Sequence, residues 1–86
     1  MMIERMTAIW RELLAREDID ADSDFFVLGG DSLAATVLMV YVEEAFGVVF
    51  DPVEIFETPA LSVFAEKVSQ AAMATGSAAT AELVRI

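Results

Sequence analysis

The sequence predicts an all-α fold: a small bundle of three longer helices and one short one, with a long first connection. Three observations carry this. Apolar residues recur at helical spacing in three stretches. Cap and breaker residues separate those stretches, namely Gly47, Asp51-Pro52 and Thr58-Pro59. No alternating strand pattern competes with them. Val48-Val49-Phe50 is β-prone, but a lone strand has no partner.

The first helix is expected over residues 2–16. Ile3, Met6, Ile9, Trp10, Leu13 and Leu14 fall on one side, with Glu4, Arg5, Arg11 and Glu12 on the other. Residues 17–31 show no clear period and read as a link. Links of this length inside a compact domain are usually functional or carry their own packing. Phe25, Phe26 and Leu28 can pin this one to the helices.

The second helix is expected from Ser32 to Phe46. Asp31 can cap it by accepting orphan first-turn amide protons, and Gly47 can end it in a left-handed conformation. Asp51, Pro52 and Glu54 then supply a cap, a first-turn proline and a third-position acid for a short helix over about 52–57. Thr58-Pro59 repeats the signal and opens a last helix over about 59–73, with Leu61, Phe64, Ala65, Val68 and Ala72 on one stripe. Residues 74–86 are rich in Ala, Thr, Gly and Ser, and a flexible tail is expected there. The domain proper is thus residues 1–73. Trp10, Phe25, Phe26, Met39, Phe46, Phe56 and Phe64 are its expected core.

Composition narrows the chemistry. A single domain of 86 residues has a modest core, burying about 60% of its unfolded surface. There is no cysteine, so neither disulfides nor thiolate metal sites hold it together. There is no histidine, which removes the commonest general base and transition-metal ligand. A net charge of −10 disfavours nucleic acid and anionic membranes and favours partners with basic patches. The start, Met1-Met2-Ile3-Glu4-Arg5, lacks the form of a signal peptide. The mostly apolar run from Leu33 to Val42 is too short to span a bilayer. A cytoplasmic protein is expected, and nothing in the pattern calls for more than a monomer.

Leu28-Gly29-Gly30-Asp31-Ser32-Leu33 is the most informative stretch. It puts a serine in the first turn of a helix, behind two glycines that free the backbone and leave room for an incoming enzyme. The helix it opens is apolar on more than one side. Ala35, Leu38, Met39, Val42 and Phe46 suffice for a core stripe. Leu33, Val37, Val40 and Tyr41 are left over, and they predict a docking surface beside Ser32. Glu43, Glu44, Asp51, Glu54 and Glu57 could form its acidic rim, with Glu44 and Glu54 as candidate contacts. The competing expectation is a central helix wrapped on all sides.

The segment Asp24-Phe25-Phe26-Val27-Leu28-Gly29-Gly30-Asp31-Ser32-Leu33 resembles the attachment motif of phosphopantetheine-dependent carrier proteins, most closely the peptidyl carrier, or thiolation, domains of nonribosomal peptide synthetases. Tyr41 to Gly47 and Ile55 to Leu61 resemble the end of the family's second helix and its short third helix, so the likeness covers roughly residues 2–73. The resemblance implies an acyl-carrier-protein-like bundle. It also implies that a phosphopantetheinyl transferase, with coenzyme A and magnesium, attaches 4′-phosphopantetheine covalently to Ser32, with Asp31 beside the cofactor. An aminoacyl, peptidyl or acyl group would ride on the arm's thiol as a thioester. The implied partners are that transferase, an adenylation or acyl-loading enzyme, and condensation, tailoring or thioesterase enzymes. The chain would be a covalent shuttle and not an enzyme, with no catalytic residue and no metal of its own. Many peptidyl carriers have histidine where this chain has Asp31; aspartate and strong acidity are usual in fatty-acid and polyketide acyl carriers.

Three other patterns are weaker. Gly30-Asp31-Ser32-Leu33 also spells a serine-esterase signature, but the chain has no histidine to serve as base. Asp18, Asp20, Asp22 and Asp24 alternate like a calcium loop, yet no frame supplies both the glycine at the sixth position and the glutamate at the twelfth. A plain helical interaction module without a prosthetic group would leave the two glycines and two aromatics before Ser32 unexplained.

Overall fold

A computed structural model describes residues 2–85, and the side chains of residues 2–73. Among the described residues four helices succeed one another: α1 (Met2–Leu14), α2 (Ser32–Phe46), α3 (Val53–Glu57) and α4 (Leu61–Arg85). The three longer helices pack against each other. Their meeting faces bury Met6 and Trp10 of α1, Ala35, Leu38, Met39 and Val42 of α2, and Leu61, Phe64, Ala65 and Val68 of α4. Ile55 enters the same core from α3, and Ile19, Phe25 and Val48 enter it from the connections. Each large side chain buried this way contributes about 1.5–3 kcal/mol of transfer free energy.

α1 ends at Leu14, two residues before the expected boundary. Ala15 turns into the left-handed region at φ 54°, and the Arg16 amide donates back to the Arg11 carbonyl at 3.1 Å. This is the usual helix-closing geometry without its usual glycine, so no stop signal stands in the sequence.

The link over residues 17–31 is ordered by its own acids and by the α3–α4 connection. Asp20 and Asp24 each fold the backbone onto a carboxylate: the Asp22 amide donates to Asp20 at 2.9 Å, and the Phe26 and Val27 amides donate to Asp24 at 2.9 and 3.1 Å. The Phe25 amide donates to the Pro59 carbonyl, and the Leu61 and Ser62 amides donate to the Ser23 and Ala21 carbonyls, each at 2.9 Å. A single antiparallel bridge, Asp24 to Ala60, results. It ties the two connections together outside any strand.

That pairing corrects the start of the last helix. Pro59 and Ala60 are held by the link, so α4 begins at Leu61 and not at 59. Thr58 closes α3 instead of opening α4. Its hydroxyl and amide both donate to the Glu54 carbonyl, at 3.0 and 3.1 Å. Asp51 does cap the short helix, accepting from the Val53 amide at 3.0 Å. α4 runs on to Arg85, past the expected end at 73. The tail expected over 74–86 falls on side chains that lie outside the described ones.

Candidate functional site

α2 presents Ser32 at its first position. Asp31 stands at the N-cap with extended backbone (φ −135°, ψ −171°), and its carboxylate accepts from the Ala34 amide at 2.8 Å. The first helical bond, Ala35 amide to Asp31 carbonyl at 2.8 Å, starts from the same residue. The Asp31 carboxylate is therefore committed to the helix start and not to Ser32. Ser32 itself is exposed. Its carbonyl accepts from the Thr36 hydroxyl at 3.1 Å, and its own hydroxyl has no hydrogen-bond partner among the described residues.

The glycines before it have two separate causes. Gly29 sits at φ 102°, a conformation L-residues rarely adopt. Gly30 lies on the buried Phe25: a Cβ there would meet two ring carbons at 2.4 Å and the Phe25 carbonyl oxygen at 2.7 Å. The Gly30 amide donates to that same carbonyl at 2.9 Å. Room for an incoming enzyme is thus not the reason Gly30 lacks a side chain; contact with Phe25 is. Phe25 is in turn held edge-on to Trp10, with ring centroids 5.1 Å apart.

The expected docking residues divide. Leu33 and Val40 are exposed, at 73% and 51%, beside the buried α2 stripe of Ala35, Leu38, Met39 and Val42. A helix wrapped on all sides is therefore ruled out. Val37 and Tyr41 are half-buried, on one flank of the exposed strip. Glu44 is exposed as expected. Glu54 is half-buried and paired: the Lys67 Nζ donates to its Oε1 at 2.8 Å and also lies 3.9 Å from Glu57. α3 offers less free negative charge than its sequence suggests.

Phe56, an expected core residue, is 49% exposed. A five-residue helix buries one face, and Ile55 occupies it, so the next residue points roughly 100° away. Phe56 stacks on the half-buried Phe26 with centroids 4.8 Å apart. With Val53, also exposed, it adds an apolar surface on α3 that periodicity in so short a helix could not reveal. Phe46 is likewise half-buried, under the Arg5 guanidinium at 4.5 Å from its ring centroid. Arg5 also donates to the Ala45 carbonyl at 3.2 Å, so it braces the end of α2.

An exposed, unpartnered serine hydroxyl at a helix start suits a phosphodiester-linked group. The helix N-terminus carries a partial positive charge, part of which the Asp31 carboxylate already meets at the Ala34 amide.

Known proteins share this fold and much of this sequence. The family model for the phosphopantetheine attachment site matches residues 4–68. The chain is 40% identical over 79 residues, 92% of its length, to phosphinothricin tripeptide synthetase PhsB of Streptomyces viridochromogenes, and spans 7% of that protein. Its backbone superposes with TM-score 0.78 on a chain of the complex of the phosphopantetheine transferase Sfp with coenzyme A and a peptidyl carrier protein, covering 81% of this chain and 91% of that one at 23% identity. It is also similar to BlmI, a type-II acyl-carrier-protein from Streptomyces verticillus involved in bleomycin biosynthesis, at 28% identity and TM-score 0.75, covering 80% and 83% of the two chains.

This chain belongs to the phosphopantetheine attachment-site family. It is an acyl-carrier-protein-like carrier domain, homologous to the peptidyl carrier domains of nonribosomal peptide synthetases, and its prosthetic group is 4′-phosphopantetheine. Among the described residues, no helix is long and apolar enough to cross a membrane.

Proposed function

We propose that this domain carries an aminoacyl or peptidyl intermediate of a nonribosomal peptide or related pathway, on an arm attached to Ser32. The exposed Ser32 hydroxyl, free of hydrogen bonds at the head of α2, is the observation that supports this assignment. When bound, phosphopantetheine supplies the thiol that this cysteine-free chain lacks. The chain itself holds the serine at a fixed place. Asp31 fixes the helix start through Ala34, Gly29 makes the left-handed turn before it, and Gly30 packs on the buried Phe25. No histidine is present, and the neighbouring Asp31 carboxylate caps Ala34, so in this reading the hydroxyl proton goes to a group of the modifying enzyme. In this reading the domain catalyses nothing; it is modified and then delivers its cargo.

The expected partners are a phosphopantetheinyl transferase, an adenylating or acyl-loading enzyme, and condensation, tailoring or thioesterase enzymes, acting in the cytoplasm. Leu33 and Val40 supply an apolar contact for them, flanked by Val37 and Tyr41. The exposed acids Asp31, Glu43, Glu44 and Asp51 supply the charged rim.

An acyl cargo is the second reading, favoured by Asp31, by the net charge of −10 and by the similarity to BlmI. Loading separates the two. The phosphopantetheine-bearing domain would be incubated with aminoacyl-adenylating and with acyl-adenylating enzymes. A thioester formed with amino acids supports the proposal; one formed only with acyl groups replaces it with the second reading.

A further inference from the structure

We propose that Arg16 is a positioning residue for modification of Ser32, because its guanidinium ties the end of α1 to the backbone that leads into the serine. The proposal rests on the assignment of Ser32 as the attachment site.

Arg16 stands two residues past α1, just after the left-handed turn at Ala15. Its guanidinium faces two ways. Nε and Nη2 donate to the two carboxylate oxygens of Asp18, at 2.9 and 2.6 Å. Nη1 donates to the Leu28 carbonyl at 3.4 Å. The bidentate pair fixes the plane of the guanidinium, and that plane points the remaining donor at Leu28.

Leu28 opens the turn that delivers Asp31 and Ser32 to the head of α2. The turn amides of Leu28, Gly29 and Gly30 all donate inward, to the Asp24, Phe26 and Phe25 carbonyls. The Leu28 carbonyl is taken by Arg16. The next residue, Gly29, has no side chain to hold it and nothing near its missing Cβ. Arg16 therefore braces the backbone immediately before its softest residue, three residues ahead of Asp31. An arginine within α1 does the same at the other end of the link: Arg11 Nη2 donates to the Ile19 carbonyl at 3.3 Å. The two guanidiniums bracket the link.

A brace of this kind sets how often the segment before Ser32 stands in the conformation a transferase binds. Losing it raises the apparent dissociation constant in proportion to the lost population and leaves the chemical step alone.

The test uses Arg16→Met, which keeps much of the apolar stem, with phosphopantetheinylation read by intact mass using coenzyme A, magnesium and a broad-specificity transferase. The expected KM for the carrier rises about two- to fivefold, the range of a solvent-exposed ion pair, with kcat unchanged. The endpoint mass equals that of the modified parent, less the difference between the two side chains. Removing a positive charge from an acidic domain would by itself tighten encounter with a basic enzyme, so a higher KM cannot come from net charge. Amide hydrogen exchange supplies the readout a merely structural role would not produce. Gly29 and Gly30 exchange faster in the variant, while Leu38 and Val42 in the core of α2 do not. An unchanged KM with unchanged exchange at Gly29 and Gly30 would overturn the proposal. So would faster exchange in loop and core alike, which would make Arg16 a general stabiliser. No mass gain in the parent would overturn the Ser32 assignment, and this proposal with it.

Discussion

Replacing Gly30 by alanine puts one carbon where the protein has no space. The new Cβ would lie 2.4 Å from Cδ2 and Cε2 of Phe25 and 2.7 Å from the Phe25 carbonyl oxygen. The ring cannot swing aside freely, since it is fully buried and sits against Trp10 and Phe26 at centroid distances of 5.1 and 5.5 Å. The carbonyl cannot retreat without breaking the bond it accepts from the Gly30 amide. Overpacking at such a site costs about 2–3 kcal/mol, the upper part of the usual range for an added methyl group. For a domain of this size that lowers Tm by roughly 10–20 °C. Urea denaturation monitored by Trp10 fluorescence reads the effect directly. A double-mutant cycle identifies its cause. Phe25→Leu alone opens space and is destabilising, but combined with Gly30→Ala the losses are less than additive, because the methyl enters the vacated volume. A cost below about 0.5 kcal/mol for Gly30→Ala, or strict additivity with Phe25→Leu, would show that this glycine does not answer to Phe25.

The same geometry makes three further outcomes testable. Ala15→Gly relieves a left-handed alanine and is expected to stabilise the domain by about 0.5–1 kcal/mol in urea melts; a loss of stability would show that Ala15 is not strained. Leu33→Glu, at a residue 73% exposed, leaves Tm within about 2 °C of the parent while weakening transferase recognition in a KM measurement; a large fall in Tm would place Leu33 in the core. The Arg16 hydrogen bond holds the Asp18 carboxyl down at about 2 from an ordinary 3.8, so this pair's contribution to stability is complete above about pH 4 and lost as pH falls toward 2. The stability difference between the parent and Asp18→Asn should therefore shrink over that interval, and a difference that stays constant from about pH 4 to 2 would contradict the pairing.

α2 was legible in the sequence at both ends because chemistry marks both. Asp31 caps with its carboxylate, and Gly47 closes at φ 72° with its amide on the Glu43 carbonyl. The core stripes of α2 and α4 could be read from periodicity alone, since each helix is long enough to bury one face and expose another. The end of α1 was not legible, because an alanine there does what a glycine normally signals. The order of the link was hidden for another reason. Its bonds to Pro59, Leu61 and Ser62 are made by backbone groups, which every sequence possesses. The start of α2 at Ser32 followed from the cap at Asp31, and the exposure of Leu33 from the surplus of apolar residues on that helix. Glu54 looked like a free rim acid until the fold brought in the chain's single lysine, thirteen residues on, at 2.8 Å. The purpose of Gly30 was also invisible, because the ring that excludes a side chain there reaches it only in the folded turn.

Whether Ser32 bears the arm is decided by intact-protein mass spectrometry. The parent and Ser32→Ala would each be incubated with coenzyme A, magnesium and a broad-specificity phosphopantetheinyl transferase, after circular dichroism shows that both fold. The expected result is a gain of one phosphopantetheine on the parent, with fragmentation placing it on the peptide that contains Ser32, and no gain on the variant. A folded parent that gains nothing, or a Ser32→Ala variant that is still modified, would remove Ser32 as the attachment site.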